Sequence, residues 1–132
     1  MSVWAEYNPN PAGRNVGDCS VRAIAKALDT DWEDAYLQLV KAGYQMCDMP
    51  SSNSVIGALL RKNGFYRHTI PNTCPECYTA ADFVIDHPHG VYVLFFGNHV
   101  ATAVDGVVFD SWQSTAEIPQ YYWSKEKDNG SV

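Results

Sequence analysis

The sequence has no long apolar run, no basic cluster and no repeat, and each absence removes a class of function. A membrane-crossing helix needs about 20 consecutive apolar residues, and no stretch comes near that. Lys and Arg number 9 against 15 Asp and Glu, a net charge of −6, and the basic residues are scattered. Nucleic acid is therefore not the expected partner. Residues 1–13 carry neither a charged start nor an apolar stretch, so no secretory signal is expected. No low-complexity segment is present. Apolar residues make up 46% and charged residues 18%, a balance that argues against disorder. The 132 residues suit one domain, 1–132, with room for one core and not two. There are 4 cysteines, expected to stay reduced in the cytoplasm.

What the chain does contain is an ordered set of reactive side chains. Residues 1–18 carry Pro9, Pro11, Gly13 and Gly17 and read as an extended N-terminal arm or loop. From Cys19 the chain becomes alanine-rich, free of Gly and Pro through Leu28, and is expected to be helical. Asp18 is the expected N-cap, its carboxylate accepting from backbone N–H groups of the first turn. Cys19 then sits where the positive end of the helix dipole favours a thiolate. Ala23, Ile24, Ala27 and Leu28 form an apolar face, so the helix is expected to be mostly buried.

Val91–Phe96 reads as a buried strand. His99–Val104 and Val107–Trp112 follow as two more, joined by Asp105-Gly106. Asp-Gly between apolar runs predicts a two-residue type I′ hairpin. Val104 then pairs with Val107, and Asp110 lies opposite Ala101. Side chains alternate along a strand, so His99 shares the face of Ala101. His99 and Asp110 become diagonal neighbours, about 7–8 Å apart at the backbone. A thiol nucleophile needs an imidazole to hold it ionised and a carboxylate or amide to orient that imidazole. Cys19, His99 and Asp110 supply one group for each role.

These residues carry a resemblance. Asn98-His99-Val100-Ala101 and Phe109-Asp110-Ser111-Trp112 resemble the histidine block and the Asn-Ser-Trp block of papain-like cysteine peptidases, with Asp in place of Asn. Gly17-Asp18-Cys19-Ser20 is similar to the Asp-Cys-Ser start of the NlpC/P60 branch, where a glycine follows; here Val21 does. Over nearly its whole length the chain also looks like a small group of phage and prophage proteins of Gram-positive bacteria, through Asp18-Cys19, Asp48-Met49-Pro50, His87-Pro88, His99 and Asp110-Ser111-Trp112. The resemblance implies a minimal papain-like fold and a cytoplasmic cysteine peptidase or related amide hydrolase, in a bacterial host or phage-infected cell, acting on a peptide or protein without a cofactor. It implies Cys19 as nucleophile, His99 as general base and acid, and Asp110 as orienter. Papain-like enzymes usually carry an oxyanion-hole glutamine six residues before the cysteine. That position is Gly13 here, and the nearest amide is Asn15. Asn15 is thus a candidate oxyanion donor with the Cys19 N–H, or merely a turn former. Trp112 either shields the His99–Asp110 pair or packs in the core.

The remaining elements complete an α+β expectation, a helical half with the cysteine at a helix start packed on a small antiparallel sheet. Thr30-Asp31-Trp32-Glu33 reads as a capping box opening a helix that Gly43 stops. Ser51–Asn53 cap a third helix, closed by Gly64. Phe65–Ile70 is a strand and Thr79–Asp86 a short helix capped by Thr79. Residues 113–132 form a C-terminal segment. Two rival functions remain. Cys74 and Cys77 with His87 and His89 offer four potential zinc ligands, though in no familiar spacing. A catalytically weak or inactive binding module, a phage accessory or counter-defence protein, is the other; Tyr121, Tyr122 and Trp123 would be its contact patch unless they cover the core. Cys47 and His68 read as structural.

Overall fold

The computed structural model describes residues 2–70 and 78–127. The alanine-rich run forms α1 (Cys19–Ala27), followed by α2 (Trp32–Met46), α3 (Asn53–Lys62) and the short α4 (Ala80–Asp86). Ser52 caps α3, and Thr79 caps α4 in a reciprocal capping box with Asp82. The cap of α2 lies one residue later than the Thr30 pattern suggests. Asp31 accepts from the Asp34 N–H at 2.7 Å, while Thr30 Oγ1 donates to the Asp34 carboxylate at 2.8 Å. Gly43 does not stop α2. The helix runs on to Met46, and Cys47 takes the left-handed cap with φ 54°. Gly43 is needed for a different reason: a Cβ there would stand 2.8 Å from the Asp48 carbonyl oxygen, which folds back over it.

The strands are β1 (Trp4–Glu6), β2 (Tyr66–Thr69), β3 (Val91–Phe95), β4 (Val100–Val104), β5 (Val107–Asp110) and β6 (Tyr121–Ser124). They form one sheet of 6 strands in the order β1-β5-β4-β3-β6-β2. The predicted hairpin is present: Asp105 and Gly106 have φ of 49° and 83°, and Val104 pairs with Val107. Two strands go beyond the sequence expectation. β1, inside the supposed arm, pairs parallel with β5, so the sheet is mixed rather than antiparallel. β6, inside the C-terminal segment, lies between β3 and β2. Trp123 is accordingly buried in the core, and Tyr121 and Tyr122 are half-buried, so the three do not form an exposed patch.

The architecture is α+β. Helices α1, α2 and α3 cover one face, packing Ile24, Leu39, Ile56 and Leu60 with Val93, Phe95 and Trp123. The other face is closed by α4, whose Phe83 and Val84 meet Tyr92, Leu94, Ala103 and Val108. Alternation along β3 explains the division, since successive side chains point to opposite faces. α1 is tied to the sheet by the buried Thr102 hydroxyl, which donates to the Ala23 carbonyl at 2.7 Å. Lys26 adds a cation–π contact, 3.8 Å above the Phe109 ring. These ties bring the start of α1 beside the start of β4 and the end of β5. Among the described residues no helix is long and apolar enough to cross a membrane.

Candidate active site

Cys19 is the first residue of α1. Asp18 occupies the N-cap position, but its side chain makes no capping bond. Instead its Oδ1 accepts from Arg22 Nη1 and its Oδ2 from Trp32 Nε1, each at 2.8 Å. Both carboxylate oxygens are taken up, one in an ion pair with the buried guanidinium and the other by the indole N–H, which turns them away from the helix N–H groups, and this corrects the capping role expected of Asp18. The first intrahelical bond is Arg22 N–H to the Asp18 carbonyl at 2.9 Å. The N–H groups of Cys19, Ser20 and Val21 therefore have no intrahelical acceptor and, among the described residues, no side-chain cap.

His99 immediately precedes β4, and Asp110 is the last residue of β5. His99 Nε2 donates to Asp110 Oδ2 at 2.6 Å, so the diagonal placement becomes a direct bond. Asp110 is fully buried. Its Oδ2 also accepts from Ser114 Oγ at 2.6 Å, and its Oδ1 from the Ser111 N–H at 2.8 Å and Arg22 Nη2 at 3.2 Å. Phe96 stacks on one side of the His99 ring at 5.8 Å between centroids. Trp112 tilts against it at 5.0 Å. Nε2 is held by Asp110, which leaves Nδ1 as the nitrogen for Cys19, and the thiol and imidazole lie near enough for each to shift the other's ionisation.

The electrostatics follow from these contacts. Burial pushes the Cys19 thiol up, but the bonds with His99 and the Val100 backbone and the charges of His99 and Arg22 outweigh it, and its pKa is lowered. Burial acts downward on His99, yet Asp110 and Cys19 together push it up to about 9. Desolvation acts upward on Asp110, but the bonds from His99 and Ser114 hold it below the usual carboxylate value. A lowered thiol beside a raised imidazole is the condition for a thiolate–imidazolium pair.

The structure thus brings Cys19, His99 and Asp110 together, with Trp112 against the histidine and 44% exposed. Asn15 is exposed, and its side chain makes no hydrogen bond among the described residues. Cys74 and Cys77 lie outside the described residues. His87 is half-buried, its Nδ1 donating to the Phe83 carbonyl at 2.9 Å and its ring stacked on Phe83; His89 is exposed. Among the described residues no three His, Cys, Asp or Glu side chains gather to hold a metal. His68 is buried, with Nε2 3.1 Å from Ser124 Oγ, in keeping with a structural role.

Sequence reasoning missed Arg22, Ser114 and Phe96. For Arg22 a signal existed: Asp18 and Arg22 stand one helical turn apart, and the arginine lies between the apolar Val21 and Ala23. Ser114 has no such mark, because it reaches Asp110 through an irregular turn after β5. A groove of about 380 Å³ runs beside the start of α1, lined by Val16, Gly17, Ser20, Trp32, Tyr36 and Pro50 among others. No protein family, curated protein or solved structure matches the chain.

Proposed function

We propose that this protein is a papain-like cysteine peptidase, or a related thiol-dependent amide hydrolase, acting on a peptide or protein in the cytoplasm. The observation that carries the reading is His99, held at 2.6 Å by a buried Asp110 and set beside a thiol at a helix start whose pKa it lowers. In the proposed reaction the Cys19 thiolate attacks the scissile carbonyl carbon. The S–C bond forms as the C=O π pair moves onto oxygen. The uncapped N–H of Cys19 donates to that oxyanion; Asn15 is the candidate second donor. As the tetrahedral adduct collapses, the C–N bond breaks and the amine leaves with the proton from His99 Nδ1. Water then attacks the thioester carbon while His99 takes its proton; the new C–O bond forms, the C–S bond breaks with its pair returning to Cys19, and the acid leaves with the thiolate–imidazolium pair restored. Asp110 keeps its bond to Nε2 throughout and moves no proton.

The test is covalent trapping. A peptidyl chloromethyl ketone should alkylate Cys19 selectively, and Cys19→Ala should abolish both the adduct and hydrolysis of a mixed peptide library. No adduct at Cys19, with hydrolysis unchanged in Cys19→Ala, overturns the proposal. A second reading, a binding module on the same fold, is favoured by the apolar side chains that α2 and the loop after it turn to solvent, with Leu37 65%, Tyr44 84% and Met49 67% exposed. It predicts a slow, ordinary thiol at Cys19.

A further inference from the structure

The Asp110 that orients His99 is itself held from the far side, and the holder belongs to α1. Arg22 is 4% exposed. A buried guanidinium is an expensive choice for the face of a helix, where a well-packed apolar residue of similar volume is often at least as stable. Its placement gives the reason. One prong, Nη1, donates to Asp18 Oδ1 at 2.8 Å, and the other, Nη2, to Asp110 Oδ1 at 3.2 Å. Trp32 Nε1 pins the second oxygen of Asp18 at 2.8 Å, anchoring the bridge to α2. Only a planar fork spans two carboxylates in this way; an ammonium is a point charge.

We propose that Arg22 is a positioning residue: its guanidinium, shared between Asp18 and Asp110, fixes the acid behind His99 and sets the pH at which Cys19 becomes a thiolate. The inference rests on the thiol-hydrolase reading and extends it. The charged groups around Cys19 are Asp18 at the N-cap of α1, Arg22 within it, His99 just before β4 and Asp110 from β5; α2 contributes the neutral Trp32 N–H. With Arg22 present, two cations face two carboxylates and the thiolate. Without it, a single imidazolium faces all three anions, and the thiolate is the one that a proton removes most easily. Loss of Asp18 has the opposite sign, since it removes an anion next to Cys19 and leaves both prongs of Arg22 for Asp110.

The experiment is the pH dependence of Cys19 alkylation by iodoacetamide in the full chain, read by site-resolved mass spectrometry, with a thermal melt of each variant. In the wild type the midpoint should lie below that of an ordinary thiol. Arg22→Met should raise it by about one pH unit. Asp18→Asn should lower it, by a smaller amount. Arg22→Lys should bring it back towards the wild-type value, because the charge is restored, while the rate of peptide hydrolysis stays low because the fork is not. A purely structural bolt predicts lower melting temperatures with unmoved midpoints, or midpoints moving the same way in both charge-removing variants; either result overturns the proposal. If Arg22→Met does not fold, the direction of the Asp18→Asn shift decides alone. An ordinary wild-type midpoint overturns the hydrolase reading and this inference with it, whereas a low wild-type midpoint that the variants leave unmoved overturns this inference only.

Discussion

His99 has two partners, Cys19 and Asp110, that both favour its protonated form, and the test of its role is to remove it. An ordinary thiol is well under one-hundredth ionised at pH 6. His99→Ala should therefore slow Cys19 alkylation at pH 6 on the order of 100-fold, and only a few-fold near pH 9, where hydroxide ionises the thiol anyway. Site-resolved labelling with Cys47 as internal reference checks this; equal slowing at both pH values would mean that the histidine shapes the site without charging it. Trp112→Ala should leave that labelling within a few-fold of wild type, since the exposed indole covers one side of the ring and makes no hydrogen bond with it. The three residues of the candidate site were legible from the chain because each carries a local mark: a helix start for Cys19, and strand parity across an Asp-Gly turn for His99 and Asp110. Arg22 was harder to see. Its bond to Asp110 spans 88 residues of sequence and exists only once α1 lies on β5.

At the level of elements, those caps and turns whose partners are local were legible, whereas the Asp18 cap failed because the Arg22 guanidinium and, from α2, the Trp32 indole claim its carboxylate. Thr79 with Asp82, Ser52, and Asp105-Gly106 each act within a few residues. Gly43 shows the limit. A glycine that ends a helix and a glycine that admits a returning carbonyl look the same in sequence, and here the second applies. Gly43→Ala should cost about 1–3 kcal/mol, because backbone at Asp48 and Pro50 must shift to clear the methyl group. Chemical denaturation would measure it, and an unchanged midpoint would show that the loop yields freely. The tie between α1 and β4 gives a second prediction. Thr102→Val keeps the shape but leaves the Ala23 carbonyl without that donor, for a loss of about 1–2 kcal/mol.

For the whole molecule the pH profile of stability carries the signature of the site. Asp110 has a lowered pKa in the folded state, so its contribution is present above the ordinary carboxylate value of about 4 and is lost as pH falls through the lowered one. His99 is raised to about 9. Its contribution is full below about 6.5, the unfolded value, and is lost as pH rises towards 9. The lowered Cys19 acts in the opposite direction over the same range, so the clean measurement uses Cys19→Ser. Asp110 alone still holds His99 up in that variant, whose melting temperature should therefore decline as pH rises above about 6.5, over a narrower range than in the presence of the thiolate, and a second change, His99→Gln, should remove the decline. Persistence of the decline in the double variant would place its source elsewhere. The α+β class and the helix-on-sheet packing were legible from the order of periodic segments. β1 was not, because three residues are too few to show alternation, nor was β6, whose Tyr-Tyr-Trp run reads equally as a surface patch or as core cover when its neighbours β3 and β2 are unknown. Both strands depend on partners far away in sequence.

That remoteness has a consequence in time. β1 pairs with the strand that bears Asp110, and the Tyr7 N–H donates to the Asp110 carbonyl at 2.8 Å. A chain leaves the ribosome from its N-terminus at about 5–20 residues per second. Cys19 is therefore out several seconds before His99, and residues 4–7 wait longer still for their place on the sheet. Throughout that interval the thiol has no imidazole, and the nascent protein is chemically quiet. On the proposed reading, its reactivity would switch on only when residues 107–110 arrive and the earliest-made strand closes against them.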